Sequence, residues 1–182
     1  MIVKPSEEPK IDCYVDSDFA SLWGSEDNPD SVCVESGTGY VLMLAGCPLL
    51  WVSNLQTEIA LSTMEAEYIA LSQAMRDLLP TRAMIQDVIG SLVPSSVDSN
   101  VSCLTHSMVF EDNDATRMLA TSPHMTPRSK HIAVKYHFFR EKVASGEVQI
   151  QRVDSSDQKA DIFTKGLVQV KFEALRKSLM GW

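Results

Sequence analysis

The chain has 182 residues, 45% of them hydrophobic and 22% charged, a size and balance that fit one globular domain and exclude a disordered or collagen-like chain. Sixteen Lys and Arg against 24 Asp and Glu give a net charge of −8, which taken alone speaks against a nucleic-acid binder. No apolar run approaches the ~18–20 residues of a membrane span, the N-terminus lacks an apolar signal core, and the four dispersed cysteines fit reduced thiols in an intracellular compartment.

Residues 1–10 carry two prolines and no periodicity and read as a linker. Residues 11–16, IDCYVD, alternate as a strand does, and the Gly, Asn, Asp, Ser and Pro of residues 24–37 read as a loop. TGYVLMLA, a turn at Gly46-Cys47-Pro48 and LLWVS predict a hairpin, followed by a further extended stretch, QTEIAL. Ser62 and Glu65 have the spacing of a capping box, and the apolar positions from Leu71 to Ile89 predict a long helix ending at Gly90, kinked or broken at Pro80. SMVFE, residues 107–111, reads as a buried strand, and Asn113 to Ala120 as a short helix. Residues 131–145 predict a helix stopped by Gly146, EVQIQRV a strand, residues 157–165 a helix and residues 169–179 an amphipathic helix. The order, three strands and then helices alternating with strands, predicts an α/β layered fold with a mixed sheet flanked by helices.

Acids stand where this pattern places strand ends and helix starts: Asp16, Glu67, Asp112 and Asp161. Carboxylates at the ends of central strands face a ligand crevice. Four converging there would repel one another unless cations neutralised them, and Mg²⁺, a hard ion that takes oxygen ligands and phosphates, suits the task. Two such ions about 3.5–4 Å apart activate water and stabilise a leaving oxygen in phosphodiester cleavage. By position alone the alternative stays open that these acids only solvate a surface, because 24 acids offer many such quartets.

The charge is not evenly spread. Residues 1–60 hold ten acids and two bases, whereas residues 128–182 hold eleven bases and six acids. RSKHIAVKYHFFREK, residues 128–142, mixes five bases with Tyr136, Phe138 and Phe139. Its aromatics read as core, while Arg128, Lys130, Lys135 and Arg140 can line a groove and meet phosphates. Neither the His131–His137 pair nor Cys103 with His106 makes a four-ligand zinc set.

YVDSD, ALSTMEAEYIAL, FEDNDA, KHIAVKYHFFREKV and DQKADIFTK together resemble the ribonuclease H domain of copia-type LTR-retrotransposon polyproteins, over about residues 11–179. The resemblance implies a ribonuclease H-like fold over residues 11–182, with a mixed five-stranded sheet of three antiparallel strands and then parallel ones. Residues 1–10 become a linker from the preceding polyprotein region. It makes Asp16, Glu67, Asp112 and Asp161 both the catalytic residues and the ligands of two Mg²⁺ ions, with Mn²⁺ as a substitute. Glu65 is the weaker match and is explained as the capping partner of Ser62. Asp18 and Asp114 are read as supporting or solvated neighbours.

The implied activity is endonucleolytic hydrolysis of the RNA strand of RNA–DNA hybrids during reverse transcription. The implied partners are the hybrid and a reverse transcriptase domain of the same polyprotein, without a membrane, in a cytoplasmic virus-like particle. Ser17, Asn54, Gln56, Ser62 and Asn113 are candidate contacts to the 2′-hydroxyls of an A-like hybrid. Three features depart from the family: Val34 and Glu35 replace a usual base, residues 24–36 form a long acidic loop, and no His stands in residues 152–160. They motivate one alternative, a catalytically decayed module of the same fold that binds or tethers hybrids. An integrase or resolvase is disfavoured because Glu is the second acid in chain order.

Overall fold

The computed structural model describes residues 10–20, 34–92, 106–122 and 138–182. One five-stranded sheet organises them, in the order β3-β2-β1-β4-β5. β1 (Ile11–Asp18) pairs antiparallel with β2 (Gly37–Leu44), which pairs antiparallel with β3 (Cys47–Leu55). On its other side β1 pairs parallel with β4 (Ser107–Glu111), and β4 parallel with β5 (Val148–Arg152). The mixed sheet expected from the sequence is therefore present.

β1 is central and buried on both faces. Ile11, Cys13 and Val15 join the main core with Leu71, Met75 and Leu78 of α1 (Thr63–Leu92). On the opposite face Val41 and Met43 pack with Leu179 of α4 (Gln169–Met180) and with Ile162 and Phe163 of a 3₁₀ helix, Lys159–Phe163. α2 (Asp114–Thr121) and α3 (Arg140–Ala144) pack on each other and on β5.

Several elements differ from expectation for local reasons. The hairpin turns at Ala45 and Gly46, both with positive φ (50° and 77°), the pair of left-handed residues that a tight turn between twisted strands needs. Cys47 and Pro48 thus already belong to β3, where a register shift between Leu42 and Met43 and an edge position accommodate the proline. QTEIAL forms no strand; Gln56 N–H donates to Ser36 O (2.8 Å), and Ala60 is buried on the way to α1. The capping box forms: Glu65 N–H donates to Ser62 Oγ (3.2 Å), and Glu65 Oε2 accepts from Leu61 N–H (3.0 Å).

α1 continues through Pro80 without a break. It is held on both sides of the proline, by buried Leu78 before it and by Arg82 after it, whose Nη1 donates to buried Ser107 Oγ (3.1 Å). The segment expected as a helix at 157–165 is the shorter 3₁₀ helix, capped by the Gln158 side chain on Ala160 N–H. Of the helix expected over 131–145, residues 131–137 lie outside the described residues, as do residues 1–9 of the expected linker. Gly146, at φ 80°, follows α3 as expected.

Candidate active site and metal centre

The parallel pairing of β1 with β4 ends at Tyr14 and Phe110. Asp16 lies two residues further along β1, and Asp112 two residues further on, just past the end of β4. Glu67 approaches from the second turn of α1, which the capping box and Gln56 hold in place. One carboxylate oxygen from each of Asp16, Glu67 and Asp112 lies within 4.8 Å of the others. Asp16 and Glu67 are buried, and Asp112 is partly open, accepting from Ser155 Oγ (2.9 Å).

Such a cluster is unstable as bare charge. At an effective dielectric of about 20, two like charges this far apart repel by roughly 3 kcal/mol. Burial pushes the Asp16 carboxyl up to about 6, against the opposing pull of Lys165 and Thr164. Glu67 is raised further, first by burial and then by the charges of Asp16 and Asp112. Its Oε2 is buried without a hydrogen-bond partner. An orphaned carboxylate oxygen facing two other acids fits a hard divalent cation, which takes oxygen ligands and restores the charged form.

Asp161 enters from the 3₁₀ helix and is 2% exposed. It is not in the cluster of three; cations of the chain itself hold it. Lys165 Nζ donates to Asp161 Oδ1 and to Asp16 Oδ1, both at 2.9 Å, and Lys171 Nζ donates to Asp161 Oδ2. Thr164 Oγ1 donates to Asp16 Oδ2. Burial works against the charge on Lys165, but Asp16 and Asp161 outweigh it and raise its pKa. Gln158 ties this helix to the sheet, donating from Nε2 to Val15 O (2.8 Å).

The candidate nucleic-acid contacts fall into three groups. Asn54 and Ser62 are exposed, the latter engaged as the α1 cap. Asn113 is partly exposed and caps α2, its Oδ1 accepting from Thr116 N–H (3.0 Å). Arg140 is partly exposed and donates to Ser122 O. Two others are buried. Gln56 is fully buried, and its Nε2 donates to Thr38 Oγ1 (3.0 Å) and Ala66 O (2.9 Å), so it braces α1 against β2. Ser17 is buried as well, and its Oγ has no hydrogen-bond partner among the described residues. Arg128, Lys130 and Lys135 lie outside the described residues. Asp114 is a surface acid paired with Arg117 and with Arg152 (3.1 Å).

Sequence reasoning passed over Glu111, Thr164, Lys165 and Lys171. Glu111 is fully buried; its Oε1 accepts from Asn113 N–H (3.1 Å), its Oε2 has no partner, and burial and then the Glu67 charge raise its pKa well above the usual range. Lys165 stands four residues after Asp161, a spacing at which side chains meet. That was the available signal. Nothing local marks Glu111 except its place beside Asp112.

A mixed five-stranded sheet with acids at the ends of its two middle strands is the ribonuclease H-like architecture. Among solved structures, the chain matches the N-terminal RNase H domain of Rv2228c from Mycobacterium tuberculosis with a TM-score of 0.51 and 15% identity, covering 94% of this chain and 99% of that one. It also matches an RNase H1 isolated from compost by a metagenomic approach, with a TM-score of 0.54 and 20% identity, covering 86% and 93%. In sequence, its homologues are Pol polyproteins from plant retrotransposons. It is 31% identical over 174 residues to the retrovirus-related Pol polyprotein from transposon TNT 1-94 of Nicotiana tabacum, over 96% of this chain and 12% of that protein. It is 29% identical over 180 residues to the corresponding polyprotein from transposon RE2 of Arabidopsis thaliana, over 98% and 11%. The chain thus spans about a tenth of the length of these relatives. No family model matches the chain. Among the described residues, no helix is long and apolar enough to cross a membrane.

Proposed function

We propose that this chain is the ribonuclease H domain of a retrotransposon polyprotein, hydrolysing the RNA strand of RNA–DNA hybrids with divalent-ion assistance during reverse transcription. The observation that carries the reading is the convergence of Asp16, Glu67 and Asp112 within 4.8 Å, with one buried Glu67 oxygen left unpaired, on a ribonuclease H-like sheet.

Asp16, Glu67 and Asp112 would hold Mg²⁺, or Mn²⁺ in its place. When bound, such an ion lowers the pKa of a water and stabilises charge on the departing oxygen. The residues of the chain do the rest. β1 and β4 fix the separation of Asp16 and Asp112, and α1 brings Glu67 over them. Thr164 orients Asp16 through its second oxygen. The half-exposed Asp112 marks the open side, where a phosphate enters. Asn113, beside it and capping α2, is positioned to meet a ribose hydroxyl. Arg140 and the bases of residues 128–135 supply sequence-independent attraction to the hybrid backbone.

The reverse transcriptase region of the same polyprotein is the natural partner on this reading, and an intracellular particle the natural setting. The non-catalytic alternative is not favoured, because Asp16, Glu67 and Asp112 all converge. The test is cleavage of an end-labelled RNA–DNA hybrid in Mg²⁺. The native chain should cut the RNA strand, and Asp112→Asn should lose at least 100-fold in rate while keeping its melting temperature. Normal cutting by Asp112→Asn would overturn the assignment.

A further inference from the structure

The four acids divide into two unlike pairs of circumstances. Glu67 has a buried oxygen that nothing satisfies. The Asp16–Asp161 side has none. Asp16 Oδ1 and Asp161 Oδ1 share the Lys165 ammonium at 2.9 Å each, Asp16 Oδ2 takes the Thr164 hydroxyl, and Asp161 Oδ2 takes the Lys171 ammonium. These donors are anchored. Lys165 N–H donates to Asp161 O (3.0 Å), so the lysine stands one helical turn from the acid it neutralises. Lys171 Nζ also donates to Ser155 O (2.9 Å). Both lysine side chains reach inward from partly exposed stems to carboxylates that are at most 2% exposed.

We propose that Lys165 is a tethered counter-cation that holds the position between Asp16 and Asp161, so that the site takes a single divalent ion, at Asp16, Glu67 and Asp112. The inference rests on the nuclease reading above and departs from the two ions that the family resemblance implies. An ion bridging Asp16 and Asp161 would have to displace the Lys165 ammonium, which already lies 2.9 Å from an oxygen of each, while Lys171 holds the other Asp161 oxygen. An ammonium has three donors, and two are spent on the carboxylates, which leaves one for a phosphate oxygen of the hybrid. The lysine thereby neutralises the acid pair and contacts the substrate, two tasks otherwise given to a second ion.

The test is Mn²⁺ titration of the full chain, read by electron paramagnetic resonance and by equilibrium dialysis. The native protein should bind one Mn²⁺ with an uncoupled spectrum. Lys165→Met, which frees one oxygen each of Asp16 and Asp161, should bind two with an exchange-coupled spectrum. Two coupled ions in the native chain would overturn the inference and leave the nuclease reading standing. A single ion in a folded Lys165→Met chain would also overturn it. If Lys165→Met fails to fold, the native stoichiometry still decides. No Mn²⁺ bound to the native chain would sink the nuclease reading itself, and the inference with it.

Discussion

Gly39 and Thr164 touch so closely that a Cβ on Gly39 would lie 2.6 Å from Thr164 Cγ2 and 2.9 Å from Phe163 Cβ. Gly39 is also the β2 partner of Asp16 in the sheet register. The missing side chain is what lets the 3₁₀ helix lie on the sheet with Asp161, Thr164 and Lys165 beside β1. Gly39→Ala must lift that helix. It should cost about 1–3 kcal/mol by overpacking and reduce hybrid cleavage more than tenfold. Thermal melting and a cleavage assay at a temperature where the variant stays folded check this; an unchanged melting point would show that the contact yields freely.

The raised pKa of Asp16 makes the ion-free chain sensitive to base. The folded chain keeps a proton there up to about pH 6, whereas the unfolded chain releases it near 4. This contribution is therefore full below about pH 4 and lost as pH rises through about 6, a loss on the order of 3 kcal/mol. Melting temperatures in EDTA should fall across that window, and Asp16→Asn should flatten the fall. A native profile that rises from pH 4 to 7, with Asp16→Asn unchanged in slope, would contradict the account.

Divalent ions should reverse that loss. An ion that binds only the folded chain stabilises it by about 2.7 kcal/mol at a hundred times its Kd. Mg²⁺ or Mn²⁺ should raise the melting temperature at pH 8 in the native chain and much less in Asp112→Asn. Calorimetry with and without EDTA measures both.

Burial should keep Glu111 protonated to higher pH than a free glutamate. Glu111→Gln keeps an acceptor for Asn113 N–H and should change stability by less than about 1 kcal/mol at pH 7, becoming the more stable form as pH rises. Glu111→Ala leaves that buried donor unpaired and should cost about 1–3 kcal/mol or more. Equal melting points for the Gln and Ala variants would show that this hydrogen bond matters little.

Gln56 offers a clean contrast between bracing and contact. Gln56→Ala removes the links to Thr38 and Ala66 and should lower stability by about 2 kcal/mol. KM for the hybrid should hold in the folded fraction; a raised KM with unchanged stability would restore the residue to the substrate surface.

The sheet was legible because its signals are local, whereas the three converging acids stood out from 24 only through the family resemblance. Alternating strands, the Ser62–Glu65 cap and the FEDND strand end each declare themselves within a few residues. The site's remaining partners were not, because they join distant segments. Nothing near Gln56 announces that it will bury itself against Thr38 and Ala66, and nothing in Thr164 announces a hydroxyl directed at Asp16, 148 residues away. The turn was expected at Gly46-Cys47-Pro48 instead of Ala45-Gly46 because Pro48 is a strong turn signal, and only its edge position let it enter a strand. Pro80 misled in the same way, since anchors on both sides hold the helix that the proline weakens.

β1 and β4 pair through Tyr14 and Phe110, two residues before Asp16 and Asp112, so both acids depart from a hydrogen-bonded ladder whose strands stand about 4.8 Å apart. That spacing belongs to every β-ladder and owes nothing to the segments that join the strands. Insertions and deletions between β1 and β2, or between α1 and β4, can therefore accumulate without moving the two acids apart. The approach of the two acids is thus insulated from changes in length elsewhere in the chain.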